Sequence, residues 1–336
     1  MTKGPELGND RPVRVVSVSL GSSKRNHEVQ VEMLGRRLSI ERIGVDGDYD
    51  RACAMIAQLD GEVAAIGLGG TDLYLVAGGK RYVIEEARRL ARSAKITPVV
   101  DGSGLKNTLE RETIRWLAKT GELELAGKHV LVVSAVDRFG MAEGLVEAGC
   151  KTTFGDLIFA LGLPIPVHSL RGISILAAAL LPFLRRLPIK VLYPTGSKQE
   201  TSRGRHRRFF ERADIVAGDF HYIRRHLPER MDGKSIITNT TTAEDVTMLR
   251  DAGVEKLVTT TPEFEGRSFG TNVMEAALIA LAGKGPDEMA PQDYLDMLHR
   301  LGWQPRVVDL AAERAGRPGE ADSAGTPARP EGSGTK

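Results

Sequence analysis

Two cysteines in 336 residues leave little for a disulfide framework. Cys53 and Cys150 lie far apart in apolar surroundings with no C-x-x-C spacing, so both read as reduced, buried thiols. The chain has no H-E-x-x-H, no Walker loop and no nucleophile elbow, and its seven histidines show no metal-ligand spacing. Charge of one sign is also missing: 46 Lys and Arg against 44 Asp and Glu give a net +2, so no global field draws nucleic acid or anionic membrane. The N-terminal stretch MTKGPELGNDRPVR lacks the apolar core of a signal peptide, and the reading is a cytoplasmic protein. Long apolar runs are absent too. The longest, GISILAAALLPFLRRLPIKVLY, is interrupted by Pro182, Arg185 and Arg186; a span needs about 20 apolar residues, so a buried helix is expected rather than a membrane-surface patch.

What is present is alternation. Strand-like VRVVSVSLG, a hairpin around Gly35, helical YDRACAMIAQLDG, the strand VAAIGLGG, helical YVIEEARRLARSAK and the strand-to-helix run TPVVDGSGLKNTLERETIRWLAKTG form a first series. A second opens at Lys128 with KHVLVVSA, CKTTFG, IKVLYPTG, ADIVAGD, KSIITNTT and EKLVTTTP. Strands alternating with helices imply crossover units and parallel sheets. The expected fold is α/β with two units, the second a Rossmann-like, doubly wound, mainly parallel sheet. A flexible N-terminus covers 1–11, a substrate-binding unit 12–125, a cofactor-binding unit 126–310, and a disordered Gly/Pro-rich tail 311–336.

In such sheets ligands bind at the carboxyl ends of the strands. The stretch SAVDRFGMAEG lacks the usual G-x-G-x-x-G glycines, yet a helix N-terminus still attracts phosphate. Ser134 is expected to stand in for a glycine, Gly140 to let the helix approach a pyrophosphate, and Asp156 to meet a ribose hydroxyl or to cap a helix. Asn239, Thr240 and Thr241 close another strand, where they suit a ribose or a nicotinamide amide; Thr242 with Asp245 fits a capping box. Nine basic residues between Arg185 and Arg212 read as a solvated face or as an anion site, with Ser197 and Lys198 nearest a strand end. Only Phe209 and Phe210 interleave with them, which argues against nucleic acid. In VVDGSGLKNTLERE, Ser103, Asn107 and Thr108 crowd a helix's first turn and suit a polyol, while Lys106 near Asp101 and Asp72 forms an acid/base group. Asn272, with Arg267, Ser268 and Thr271, precedes an apolar helix and suits a loop over a crevice.

The stretches VSLGSSKRNHEV and VDGSGLKNTLER, followed by ADIVAGD and KSIITNTT, resemble quinate 5-dehydrogenases within the shikimate/quinate dehydrogenase group, over about residues 12 to 285. The group's Asn-Val-Thr-x-Pro-x-Lys motif is absent, so no catalytic residue is carried over by motif. The resemblance implies an oxidoreductase using NAD or NADP on a small hydroxylated acid such as quinate or shikimate; on local chemistry alone, Lys106 is expected to accept the hydroxyl proton assisted by Asp72 or Asp101, and a homodimer is the assembly considered. The alternative from the residues alone is a non-catalytic sensor of a nucleotide or anionic metabolite, favoured by the missing glycines.

Overall fold

The computed structural model describes residues 11–77, 80–189, 206–261, 263–264, 267–268 and 270–315. Two parallel-dominated sheets build it, each flanked by helices, as the alternation requires. In the first, β1 (Val13–Ser19), β2 (His27–Met33), β3 (Arg36–Gly44), β4 (Ala65–Gly69) and β7 (Val99–Val100) run in the order β2-β3-β1-β4-β7. Only β2 and β3 are antiparallel, joined by a two-residue loop at Leu34 and Gly35. Both loop residues have positive φ, 51° and 75°, as a tight hairpin matching the strand twist demands. A small hairpin, β5 (Tyr74–Ala77) with β6 (Lys80–Val83), follows β4. The helices here are α1 (Tyr49–Leu59), α2 (Glu85–Ala91) and the long α3 (Ser103–Thr120).

The second sheet holds β8 (His129–Val132), β9 (Lys151–Phe154), β10 (Ile215–Gly218), β11 (Ser235–Thr238), β12 (Lys256–Thr259) and β15 (Arg306–Asp309), in the order β15-β12-β11-β10-β8-β9. β15 alone is antiparallel. Two-residue strands β13 (Glu263–Phe264) and β14 (Arg267–Ser268) pair apart from both sheets. Its helices are α4 (Phe139–Glu147), α5 (Asp156–Phe159), α6 (Leu170–Leu184), α7 (Arg207–Glu211), α8 (Phe220–His226) and α9 (Ala243–Asp251). From β8 the chain steps outward to β9, then returns to β10 on the other side of β8. That reversal makes the carboxyl ends of β8 and β10 the switch point where such sheets open a ligand crevice.

Three elements depart from the sequence reading. Helices α10 (Thr271–Ala282) and α11 (Pro291–Arg300) lie on the first sheet rather than in the second unit. The reason is apolar surface: Val13, Val15, Leu38, Ile40 and Ala65 line one sheet face and are buried against Val273, Met274, Ala277, Tyr294 and Leu298. Helix α3 joins the two units, with Leu105 and Leu109 in that core and Ile114 and Leu117 in the one shared with β8 and α4. A division into 12–125 and 126–310 therefore cuts through packed surface. Third, the chain past Asp309 is helical, α12 (Leu310–Ala315), where the tail was expected to begin. Leu310 is buried, and Glu313 bonds Arg250 through both Nε and Nη2. The strand expected at IKVLYPTG, apart from its first residue Ile189, and the tail beyond 315 lie outside the described residues.

Candidate functional site

Where the two sheets' strand ends meet, Lys106 stands between them. It sits on the first turns of α3 and is buried, and its Nζ donates to Asp137 Oδ1 at 2.7 Å in the loop after β8 and reaches Asp72 Oδ1 at 3.4 Å in the loop after β4. Asp72 and Asp137 keep side-chain exposures of 16% and 24%, so both present oxygen to solvent. Burial pushes the ammonium's pKa down, but Asp137 and then Asp72 offset this and carry it above the ordinary lysine value. Lys106 is thus held charged near neutral pH.

Beside it lies a second cation. Arg138, at the start of α4, is buried, and its guanidinium bonds Glu110 of α3 and Asp219 Oδ2 at 2.7 Å, with Asp137 Oδ2 at 3.2 Å from Nε. Asp219 directly follows β10 and caps α8 by accepting from the His221 amide. Its Oδ2 also accepts from Asn239 Nδ2 at 3.0 Å. Burial pushes the Asp219 carboxyl up, but Arg138 beside it wins and holds it below its ordinary range. For Glu110 burial wins over Arg138 and raises it. The group therefore sets four carboxyls, Asp72, Asp137, Glu110 and Asp219, around two cations that are already partnered.

The expected phosphate positions are taken by the chain's own side chains. Asp156 accepts from the amides of Ala135 at 3.1 Å and Val136 at 2.8 Å, filling the loop where a pyrophosphate was expected, and burial pushes its carboxyl up to about 6. The Gly140 amide donates to Asn107 Oδ1 at 3.1 Å, and a Cβ at Gly140 would stand 2.7 Å from the Asn107 Cα. The glycine serves close packing of α4 on α3, not approach to a ligand. The start of α3 is filled in the same way, since the Gly102 amide donates to Glu275 Oε2 at 2.6 Å and the Ser103 amide to Asp101 Oδ1 at 3.0 Å.

Asp101 also accepts from the Leu73 and Tyr74 amides at 2.5 and 3.0 Å. Its oxygens are spent on backbone, so it fixes the loop that carries Asp72. Ser103 and Thr108 are buried and sit inside the structure rather than on the crevice, while Asn272 is partly exposed and its Nδ2 donates to Ser17 Oγ of β1 at 2.8 Å. Ser134 Oγ faces the Asp219 amide at 3.5 Å. Asn239 accepts from the Phe220 amide, Thr240 pairs with Thr261, Thr241 is buried, and Thr242 with Asp245 forms the expected capping box. Ser197, Lys198, Arg203 and Arg205 lie outside the described residues; Arg207 pairs with Glu211 on an exposed turn. An open groove of about 710 Å³ between α8 and α9, lined by Arg224, Leu227 and Met248, holds none of these charged groups.

Asp137, Arg138, Glu110 and Asp219 escaped the sequence reading as site residues. One signal was there: an Asp-Arg pair directly after a buried strand and before the apolar FGMA leaves its charges no route to solvent except the strand-end crevice.

The domain of unknown function DUF8754 matches residues 104–310, and the domain of unknown function DUF8753 matches residues 14–101. No curated protein matches the chain. Among solved structures, a substrate-binding protein of a sugar ABC transport system from Bordetella parapertussis 12822 is 13% identical, covering 90% of each chain at a TM-score of 0.35. L-tryptophan dehydrogenase from Nostoc punctiforme is 11% identical, covering 86% of this chain and 79% of its own at 0.36. The NAD-dependent malic enzyme from Thermotoga maritima is 13% identical, covering 86% and 83% at 0.32.

Proposed function

The chain belongs to the DUF8754 family, and from that premise we propose that it binds a small, uncharged, hydroxylated molecule in the crevice between its two units. The observation that carries this reading is Lys106, clamped between Asp72 and Asp137 from facing strand ends. Partly exposed carboxylates such as these accept hydroxyl donors. Both cations are already partnered, so an anionic ligand finds only carboxylates facing it and pays their repulsion.

A nicotinamide dinucleotide does not fit the loop after β8 as it stands, because Asp156 occupies the amides that a pyrophosphate needs. The second reading, an NAD(P)-dependent oxidoreductase acting on quinate or shikimate, keeps one observation in its favour: Asp137 and Asp219 sit at the switch point between β8 and β10. Calorimetry decides between them. A neutral cyclic polyol is expected to bind the parent and to lose at least about tenfold, 1.4 kcal/mol, in Asp137→Asn. If NAD or NADP binds the parent at millimolar concentration and no polyol does, the oxidoreductase reading replaces this one.

A further inference from the structure

Between Asp156 and Glu200 the sequence has no acidic residue at all, although Asp and Glu number 44 in the chain. The same stretch collects exposed apolar side chains. Of eight large hydrophobic residues that stand exposed among the described residues, six are here: Leu161, Leu163, Ile165, Ile175, Phe183 and Leu187.

Helix α6 shows how this arises. Its residues advance by about 100° each, so Ile173, Ala177 and Leu181 fall on one side, and all three are buried in the core. The opposite side carries Arg171, Ile175, Ala178, Ala179 and Phe183, with Ile175 66% and Phe183 71% exposed. Arg171 opens this face and the exposed Arg186 follows its last turn. An outward helix face is ordinarily polar; here it is apolar, with arginines at both ends. No helix of the described residues is long and apolar enough to cross a membrane.

We propose that this face docks on an anionic lipid bilayer, with α6 lying in the interface plane. Apolar side chains enter the boundary between headgroups and acyl chains, while Arg171 and Arg186 stay with the lipid phosphates. The charge pattern selects a membrane over a second protein copy. A bilayer bearing anionic lipid repels carboxylates and attracts arginine, which matches a helix face that carries no acid of its own and keeps its arginines, with Glu86 turned to the Ile189 amide behind it.

Flotation of the full chain with vesicles tests it. Binding is expected to vesicles of equal parts phosphatidylcholine and phosphatidylglycerol, and little to phosphatidylcholine alone. Binding should weaken in about 1 M salt, where charges are screened beyond about 3 Å. The double variant Ile175→Ser, Phe183→Ser loses at least about tenfold in bound fraction, since each large side chain contributes about 1.5 to 3 kcal/mol when taken out of water. Arg186→Glu loses about tenfold. These positions are exposed, so unchanged melting temperatures check that the fold is intact. Failure to float with either vesicle overturns the proposal. So does equal flotation of parent and double variant, or a dimer in sedimentation equilibrium that Phe183→Ser abolishes while no vesicle binds.

Discussion

Buried carboxylates are handled differently at the two strand-end edges. Under the first sheet, Glu275 is fully enclosed and is satisfied by neutral groups, the Gly102 amide and the Tyr294 hydroxyl at 2.9 Å; its carboxyl is pushed up to about 7, first by burial and then by Asp101 nearby. At the second edge, Glu110 and Asp219 share the guanidinium of Arg138, and Asp219 ends below its ordinary range. The Tyr294 and Gly102 donors lower Glu275 but do not overcome burial; Arg138 overcomes it at Asp219 and not at the more enclosed Glu110. Glu275 is thus enclosed beneath the first sheet, while Asp72 and Asp137 keep partly exposed carboxylates at the crevice.

Removing the cation breaks that contrast most severely. Arg138→Leu leaves Glu110 and Asp219 with only the more distant Lys106 as counter-charge and is expected to cost about 3 to 5 kcal/mol in urea denaturation. A loss under about 1 kcal/mol would mean that the carboxylates protonate freely and that the network is not ionic.

Glu275 supplies the next effect, and its sign follows from its raised carboxyl. Its folded value of about 7 lies above the unfolded value of 4.5, so its contribution is fully present below pH 4.5 and is lost as pH rises through 7. The drop amounts to about 3 kcal/mol at most. Beyond burial, Asp101 pushes it up, while the Tyr294 hydroxyl, the Gly102 amide and Arg81 pull it down. Glu275→Gln keeps an acceptor for Gly102 and should flatten this part of the stability profile. Asp156, raised to about 6 by burial, contributes a similar slope at lower pH that the variant leaves in place.

Gly140 sharpens the comparison at the backbone. Its packing on Asn107 leaves no room for a side chain, so Gly140→Ala is expected to cost about 1 to 3 kcal/mol by overpacking, read as a lower melting temperature. A variant that melts with the parent yet loses dinucleotide binding would restore the phosphate role.

Local pattern made much of this legible. Gly35 announced the hairpin, the apolar runs announced five of the second sheet's strands, and Thr242 with Asp245 announced a cap, because each depends on neighbours in sequence. Lys106 with Asp72 was legible as chemistry, since unlike charges gathered at strand ends. The return of α10 and α11 to the first sheet was not, because it rests on matching apolar faces some 200 residues apart. Asp101 and Asp156 misled for a common reason: an acid at a strand end looks the same in sequence whether it serves a ligand or backbone amides. Glu275, a lone acid in the apolar run VMEAALIAL, carried a signal of burial that went unread.

The smallest expected effect comes from the seam between α3 and α4, where one chemistry repeats at three depths. Arg138 pairs with Glu110 at side-chain exposures of 5% and 1%, Arg111 with Glu143 at 32% each, and Arg115 with Glu147 at 56% and 55%. Partner type stays constant along the seam while burial falls; Arg138 alone also meets Asp137 and Asp219, and the outermost pair is the longest, at 3.4 Å. Water screens the outermost pair, and holding two long side chains in place costs entropy that the weak attraction barely offsets. A double-mutant cycle with Arg115→Ala and Glu147→Ala should give a coupling of about 0.2 to 0.5 kcal/mol that fades at high salt. The middle pair should couple more strongly and the Arg138 pair most of all, with the least response to salt. Equal couplings at all three depths would show that contact geometry, not desolvation, sets the strength of these pairs, and would remove the ground for treating the two edges as electrostatically different.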